Sequence, residues 1–370
     1  MKKLTALLLT LSLLLACVPA GVAEPTKIVP NMSYTLPQNV IDGIVKLNEE
    51  VEGENPLTGL PMSDEPYTPI SLVLDNSPEV YPHWGVAEAD LFFQVPIRRD
   101  HAVRIVTVYS NQYPAQAGGA RSARMTTFPI AVLFNAVAAW AGVAPVLEYD
   151  IQVMNWVDEW DYNKPIRYVD LLAKPYKERV DFLESPWNLS AHVDEIHQYL
   201  MGRERLKFEK RYFRFADEPL TTGDDAKEIT FLFAKWPDVN AKKAERELHQ
   251  GYNDTSNCTF TYDGDAGYIR TSKTGVYTER ATGEEIHFAN VVVLRSQIEW
   301  EGNYCYYNDH LRYCGEAEYF MNGKHFTGAW YRAGRKARLV LLDGDGNEVS
   351  LQRGKTWFVL GDDHVEVSYE

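Results

Sequence analysis

The chain has 370 residues, 45% hydrophobic and 12% aromatic, enough to bury sizeable cores in two domains of ordinary size. That composition excludes a disordered chain. The formal net charge of −15 argues against general nucleic-acid binding, which needs a basic face to neutralise phosphates, but leaves room for a local basic site.

The N-terminus carries the first signal. Met1-Lys2-Lys3 and the apolar run Leu4 to Ala16 have the form of a bacterial signal peptide, and the run is too short for an ordinary transmembrane helix. Leu14-Leu15-Ala16-Cys17 resembles a lipobox, matching it at Leu14, Ala16 and Cys17. Residues 1–17 therefore read as a lipoprotein signal peptide, with Cys17 as the lipidation site and the membrane as a partner. A diacylated cysteine supplies the two chains that stable anchoring generally needs. The expected location is the outer face of the cytoplasmic membrane. Plain secretion, with cleavage after Gly21-Val22-Ala23, is the alternative. Residues 18–50 read as a tether, with Pro19, Pro25, Pro30 and Pro37 and a short amphipathic helix from Ile41 to Val51.

The first domain is expected over residues 51–222, entered through the turn-rich Asn55-Pro-Leu-Thr-Gly-Leu-Pro61. Ile70 to Leu74 is a buried-type strand ending in the polar turn Asp75-Asn76-Ser77-Pro78. Asp90 to Val95 and Val103 to Tyr109 read as two further strands in a hairpin. Ala117-Gly-Gly-Ala-Arg121-Ser122-Ala-Arg124 then precedes the nearly uncharged run Met125 to Val143. We read it as a glycine turn entering a buried helix, with Arg121 and Arg124 in the first turn. Cations there oppose the helix dipole, so helix stability does not explain them. Free N–H groups and two guanidinium forks would suit an anion. Pairing with structural carboxylates is the competing explanation. Tyr168 to Lys177 and Ser190 to Met201 read as helices, with Ser190 as N-cap. Arg203 to Arg214 is locally basic, either a solvated helix end or a surface for anionic lipid or wall polymer.

Residues 223–370 read as a mainly β second domain, with short strands and turns from Glu228 to Leu360. The expected fold class is thus α+β: an N-terminal mixed α/β domain followed by a mainly β domain. Cys305 and Cys314 flank a sequence that reads as a hairpin turning at Asp309-His310. They would face each other as a disulfide in an oxidising compartment. Cys258 reads as a buried thiol. Asp343-Gly-Asp-Gly-Asn347 lacks the glycine and glutamate of a calcium loop and reads as a hairpin turn. No metal-ligand spacing, GxSxG elbow or HExxH motif occurs, so no metal or cofactor is expected.

The order of short motifs resembles the YerB-like lipoproteins of Gram-positive bacteria, a two-part family of unassigned function. The resemblance rests on Asn55-Pro-Leu-Thr-Gly59, Leu74-Asp75-Asn76, Pro82, Gly85, Ala89-Asp90, Arg104, Gly119-Ala-Arg-Ser-Ala-Arg124 and Pro186-Trp-Asn-Leu189. In the second half it rests on Tyr262, Tyr268-Ile-Arg270, Arg280-Ala-Thr-Gly283, Ala289 to Val293, Gly328-Ala-Trp330, Asp343 to Gly346 and Gly354-Lys-Thr-Trp-Phe358. It implies departures as well. Gln94 stands where the family has an acid, Arg98-Arg99-Asp100 replaces an EGG-like turn, and Trp140 and Trp187 replace histidines. Loss of such acid–base candidates beside retained arginines favours binding over catalysis. The expectation is a non-catalytic site for an anionic cell-wall polymer or envelope partner protein. Its residues would be Arg104, Arg121, Ser122 and Arg124, oriented by Asp75 and Asn76. A wall hydrolase or transferase using Asp75 is the rival.

Overall fold

The computed structural model describes residues 24–98, 102–143, 153–233, 252–301, 304–307 and 313–370. The signal segment and Cys17 lie outside these residues. Strands hold 38% of the chain and helices 12%, so the fold is mainly β.

Its centre is an eleven-stranded sheet among the described residues. The order runs Asp224–Asp225, Lys324–Arg332, Tyr313–Met321, Asn290–Arg295, Thr356–Gly361, Leu91–Pro96, Val103–Tyr109, Ile70–Leu74, Val137–Trp140 and Tyr168–Asp170, with Val340–Asp343 beside Lys324–Arg332. Both halves of the sequence therefore share one sheet. The seam is the parallel pair Leu91–Pro96 and Thr356–Gly361. Its register sets Phe92 beside Trp357 and Phe93 beside Phe358, and the ring pairs stack at 5.5 and 4.5 Å on opposite faces. Period-two alternation puts every other side chain on each face. Leu72, Leu74 and Phe92 accordingly join one core, and Val73, Leu91 and Phe93 the other.

Each core has its own cover. A seven-stranded sheet containing Glu228–Phe233, Cys258–Tyr262, Tyr268–Ser272 and Val365–Tyr369 closes the first, together with the helix Val193–Met201. The helices Phe128–Leu133 and Val153–Glu159 close the second. With both faces covered, Ile70–Leu74 and Val103–Tyr109 are buried throughout, which explains their nearly continuous apolar runs.

Four expectations are corrected. Residues 24–50 are not a free tether. Thr26–Ile28 pairs with Val367–Tyr369, and Tyr34, Leu36, Val40 and Ile44 pack on Ala329, Val340 and Leu342. Four apolar side chains on a proline-rich segment cover a patch that would otherwise face water. The expected helix over Tyr168 to Lys177 is replaced by the short strands Tyr168–Asp170 and Lys177–Arg179. Val169 and Leu171 are both buried, a two-residue spacing that suits a strand. Ser190 lies in the strand Leu189–Ala191 rather than capping the helix, and its hydroxyl accepts from Trp84 Nε1 at 2.9 Å. Finally, Tyr304–Tyr307 pairs with Ile298–Glu301, and the turn expected at Asp309-His310 lies outside the described residues. Cys314 instead faces Tyr331 across Lys324–Arg332 and is a free thiol, 3.9 Å from the Tyr34 carbonyl.

Candidate functional site

The site gathers around Asp75, just past the end of Ile70–Leu74. Its backbone N–H donates to the Gly119 carbonyl at 2.9 Å, and Arg121 N–H donates to the Val73 carbonyl at 2.8 Å. The glycine segment therefore runs extended along the strand end. The helix begins only at Phe128, so Arg121 and Arg124 precede it and do not occupy its first turn. This corrects the expected helix-terminus anion site. The glycines are needed for close approach: a Cβ on Gly118 would lie 2.3 Å from the Trp84 ring, and one on Gly119 2.4 Å from the Trp187 carbonyl oxygen.

Asp75 is fully buried. Its Oδ1 accepts from Arg104 Nη1 at 3.0 Å and from Ser77 N–H at 2.9 Å, and its Oδ2 accepts from Arg121 Nε. Burial pushes the carboxyl up, but Arg104, Arg121 and the Ser77 N–H outweigh it and hold Asp75 well below the usual carboxylate range. Arg104 is itself buried, reaching this end from Val103–Tyr109. Arg121 is different. Its side chain is 23% exposed, and Nη1 and Nη2 have no protein partner among the described residues. The Asp75, Arg104 and Arg121 trio carries one net positive charge.

The remaining expected residues divide. Ser122 Oγ donates to the Ala141 carbonyl at 2.9 Å, and Arg124 Nη1 donates to the carbonyls of Ser122 and Ala123 at 3.3 and 2.9 Å. Both secure the turn, and Arg124 stays half-buried as a nearby charge. Asn76 is buried and tied to the second half of the chain. Its Nδ2 donates to Thr255 Oγ1 at 3.3 Å, and its Oδ1 accepts from Tyr81 OH at 2.5 Å.

Residues outside the expected binding set complete the surroundings. Arg270 is fully buried, donates to the Thr255 carbonyl at 2.5 Å, and lies 4.9 Å over the Trp357 ring. His83 is buried between the Asp75 carbonyl, 2.7 Å from Nε2, and Tyr277 OH, 3.1 Å from Nδ1. A carbonyl only accepts, so Nε2 carries the proton and Tyr277 donates to Nδ1. Burial pushes this imidazole down to about 4, keeping it neutral. Glu279 accepts from the N–H groups of Gly85, Val86 and Ala87, and Arg280 Nε donates to the Pro82 carbonyl at 2.8 Å. Together they clamp the loop that carries Tyr81 and His83. Tyr268-Ile-Arg270 and Arg280-Ala-Thr-Gly283 were conspicuous in the sequence as motifs, without any sign of which loop they would meet.

Catalytic pairing is poorly served. Asp90 aligns with Ile70 in the sheet, five residues from Asp75 along the strand direction, or about 16 Å at strand rise. It is spent on Asn55 Nδ2 and on Ser110 N and Oγ. Gln94 donates to the Ser256 carbonyl at 2.7 Å, and Trp140 stacks on Tyr168 within the core. Asp100 and His101 lie outside the described residues. Among those described, Asp362, Asp363 and His364 bring metal-ligand atoms together, but as an exposed-to-buried turn remote in sequence from this site.

Residues 57–206 match the family described as "Protein of unknown function (DUF3048) N-terminal domain". Residues 248–358 match the corresponding C-terminal domain. The fold is similar to the crystal structure of YerB protein from Bacillus subtilis, with a TM-score of 0.66 and 20% identity, over 85% of this chain and 99% of that one. No curated protein matches the chain. The two domain matches and the shared fold agree with the motif order read from the sequence: the chain belongs to the YerB-like DUF3048 family, a two-part family of unknown function.

Proposed function

We propose that this is an exported, lipid-anchored envelope protein that binds an anionic ligand without turning it over, using the outward edge of Arg121. One observation carries the reading: Asp75 occupies the Nε side of Arg121 and leaves Nη1 and Nη2 unpartnered on a part-exposed side chain. A guanidinium fixed at one edge is pre-organised to take a carboxylate or phosphate at the other. Arg104 and Asp75 hold that posture, Asn76 braces the loop beside it, and Arg124 adds charge. The rival hydrolase or transferase needs Asp75 as a base or nucleophile. Both its oxygens are taken, and its depressed pKa makes it a poor proton acceptor.

The envelope location rests on the signal-like N-terminus and Cys17. Because Thr26–Ile28 is paired, only residues 18–25 separate Cys17 from the folded body, a reach of about 28 Å at most. The folded body would then sit close to the membrane. In fold terms, we read the part before residue 222 as a mixed α/β unit and the rest as mainly β, joined through the shared sheet. Co-sedimentation with purified wall fragments tests the binding. The wild type should pellet with them in a salt-sensitive way, and a folded Arg121→Gln variant should stay in solution. Equal pelleting of both would defeat the reading.

A further inference from the structure

A second basic feature lies at the far end of the helix Phe128–Leu133 from Arg124. There a cavity of about 370 Å³ is lined by Trp160, Tyr162, Lys164, Arg167, Arg211 and Lys336, among others. Four cationic side chains and one carboxylate, Asp161, face it, in a chain of net charge −15. The local field therefore runs against the global one.

Its construction explains why the charges collect there. Just past the helix end, Asn135 turns the chain with φ 53° and lines the cavity. Arg211 is buried, and its Nη1 donates to the carbonyls of Val132 and Leu133 at 2.6 and 2.8 Å, closing the helix C-terminus. Its Nη2 donates to the Lys336 carbonyl at 2.6 Å and its Nε to Glu209 at 3.0 Å, so four of the five N–H donors of Arg211 are already used. Arg167 has donors to spare. Its Nη2 donates to the Lys207 carbonyl at 2.6 Å, while Nη1 is buried without a hydrogen-bond partner. Burial, then repulsion from Arg211, pulls the Arg167 pKa down. Arg332, fully buried nearby, is pushed down to about 9 by burial and the same neighbour. Arg211 thus repels both Arg167 and Arg332, and all three guanidiniums act on Tyr162. Lys164 makes no side-chain hydrogen bond among the described residues and is drawn only by the charge of Asp161, and the Lys336–Asp161 pair at 2.9 Å is 63% and 66% exposed, so it can open at little cost.

We propose that this cavity binds a phosphoryl group carried on a small polyol or sugar. A phosphate offers enough acceptors and charge for Arg167, Lys164 and Lys336 together, which a single carboxylate does not. The volume exceeds that of a bare phosphate and falls in the range of small-ligand sites. Trp160 and Tyr162 supply an aromatic wall and Asn135 an amide for the rest of the molecule. The ligand could be a monomer or one unit of a phosphodiester-linked polymer. This inference does not depend on Arg121.

Calorimetric titration of the purified chain tests it, using glycerol 3-phosphate, poly(glycerol phosphate) and uncharged glycerol. The wild type should bind at least one phosphorylated probe, more weakly as salt rises, and should ignore glycerol. Arg167→Gln should weaken binding about tenfold or more, the scale of one charge-assisted hydrogen bond. The double variant Lys164→Gln/Lys336→Gln, altered only at exposed positions, should do likewise with unchanged thermal stability. Binding of the polymer alone would identify a chain ligand, and binding of both a free phosphomonoester or chain end. Absence of binding to either phosphorylated probe, unchanged affinity in the variants, or equal loss in Arg121→Gln would overturn the assignment.

Discussion

Replacing Asp75 by asparagine removes one unit of negative charge and changes almost nothing in shape. Asp75 is fully buried and is the carboxylate partner of both Arg104 and Arg121. Arg104 has a side chain only 5% exposed and cannot move into water, so the change leaves two cations facing a neutral amide. Breaking a buried ion pair in this way costs about 3–5 kcal/mol. Unfolding entropy of about 2.1 cal/mol/K per residue over the roughly 310 described residues gives about 0.65 kcal/mol/K, so the melting temperature should fall by about 5–8 °C if the shared sheet unfolds as one unit. Arg121→Gln leaves Asp75 paired with Arg104 and removes a side chain that is 23% exposed, so its loss should be smaller, about 1–2 kcal/mol. Differential scanning calorimetry of the three proteins at neutral pH measures both. An Asp75→Asn variant melting within 1 °C or so of the wild type would refute the view of Asp75 as the keystone of this ion cluster.

Acid should act through histidine before it acts through Asp75. The folded pKa of His83 is depressed to about 4, against about 6.5 in an unfolded chain. The unfolded state therefore binds the proton first, and the stability contributed by neutral His83 is full above pH 6.5 and lost as pH falls toward 4, up to about 3 kcal/mol. His325, also pushed down to about 4 by burial, adds in the same direction. Urea midpoints measured from pH 7 to 4 should fall, and less so in His83→Gln; flat midpoints would contradict the buried neutral ring. Gly119→Ala should destabilise by about 2 kcal/mol or more, because its Cβ would meet the Trp187 carbonyl at 2.4 Å, and denaturation that matches the wild type would argue against that close approach. Deleting residues 1–47 should lower stability by up to roughly 4 kcal/mol, about 1 for each half-buried side chain of Tyr34, Leu36, Val40 and Ile44. An unaltered urea midpoint would mean that the segment is a tether after all. Non-reducing peptide mapping should find Cys314 unbridged, and a Cys305–Cys314 peptide would contradict the free Cys314 thiol.

The strands were the legible part of the fold. Ile70 to Leu74, Glu228 to Phe233 and Asn290 to Leu294 announce themselves as apolar or alternating runs, and each forms a strand there. The Asp343 turn was equally plain, since Asp343 Oδ1 accepts from the N–H groups of Asp345 and Asn347. What failed was decided by distant partners. Arg121 was visible as an unusual cation, but whether it met a carboxylate depended on Asp75, 46 residues earlier. The segment holding it was read as helical because an apolar run follows. Contacts with Val73 and Gly142 keep it extended instead. Prolines made residues 18–50 look like a tether, while the patch that Leu36 and Val40 cover is formed some 300 residues later. The pairing of Leu91–Pro96 with Thr356–Gly361, which fuses the two halves, has no local signature in either strand.

The central claim is that the Asp75 cluster positions Arg121 for binding and performs no chemistry. The most direct measurement incubates purified wall polymer with the wild type and with folded Arg121→Gln and Asp75→Glu variants, following bound ligand and released product in the same samples. The account predicts saturable binding that Arg121→Gln abolishes, with the polymer recovered intact from every sample. Product released by the wild type and lost on changing Asp75 would contradict it.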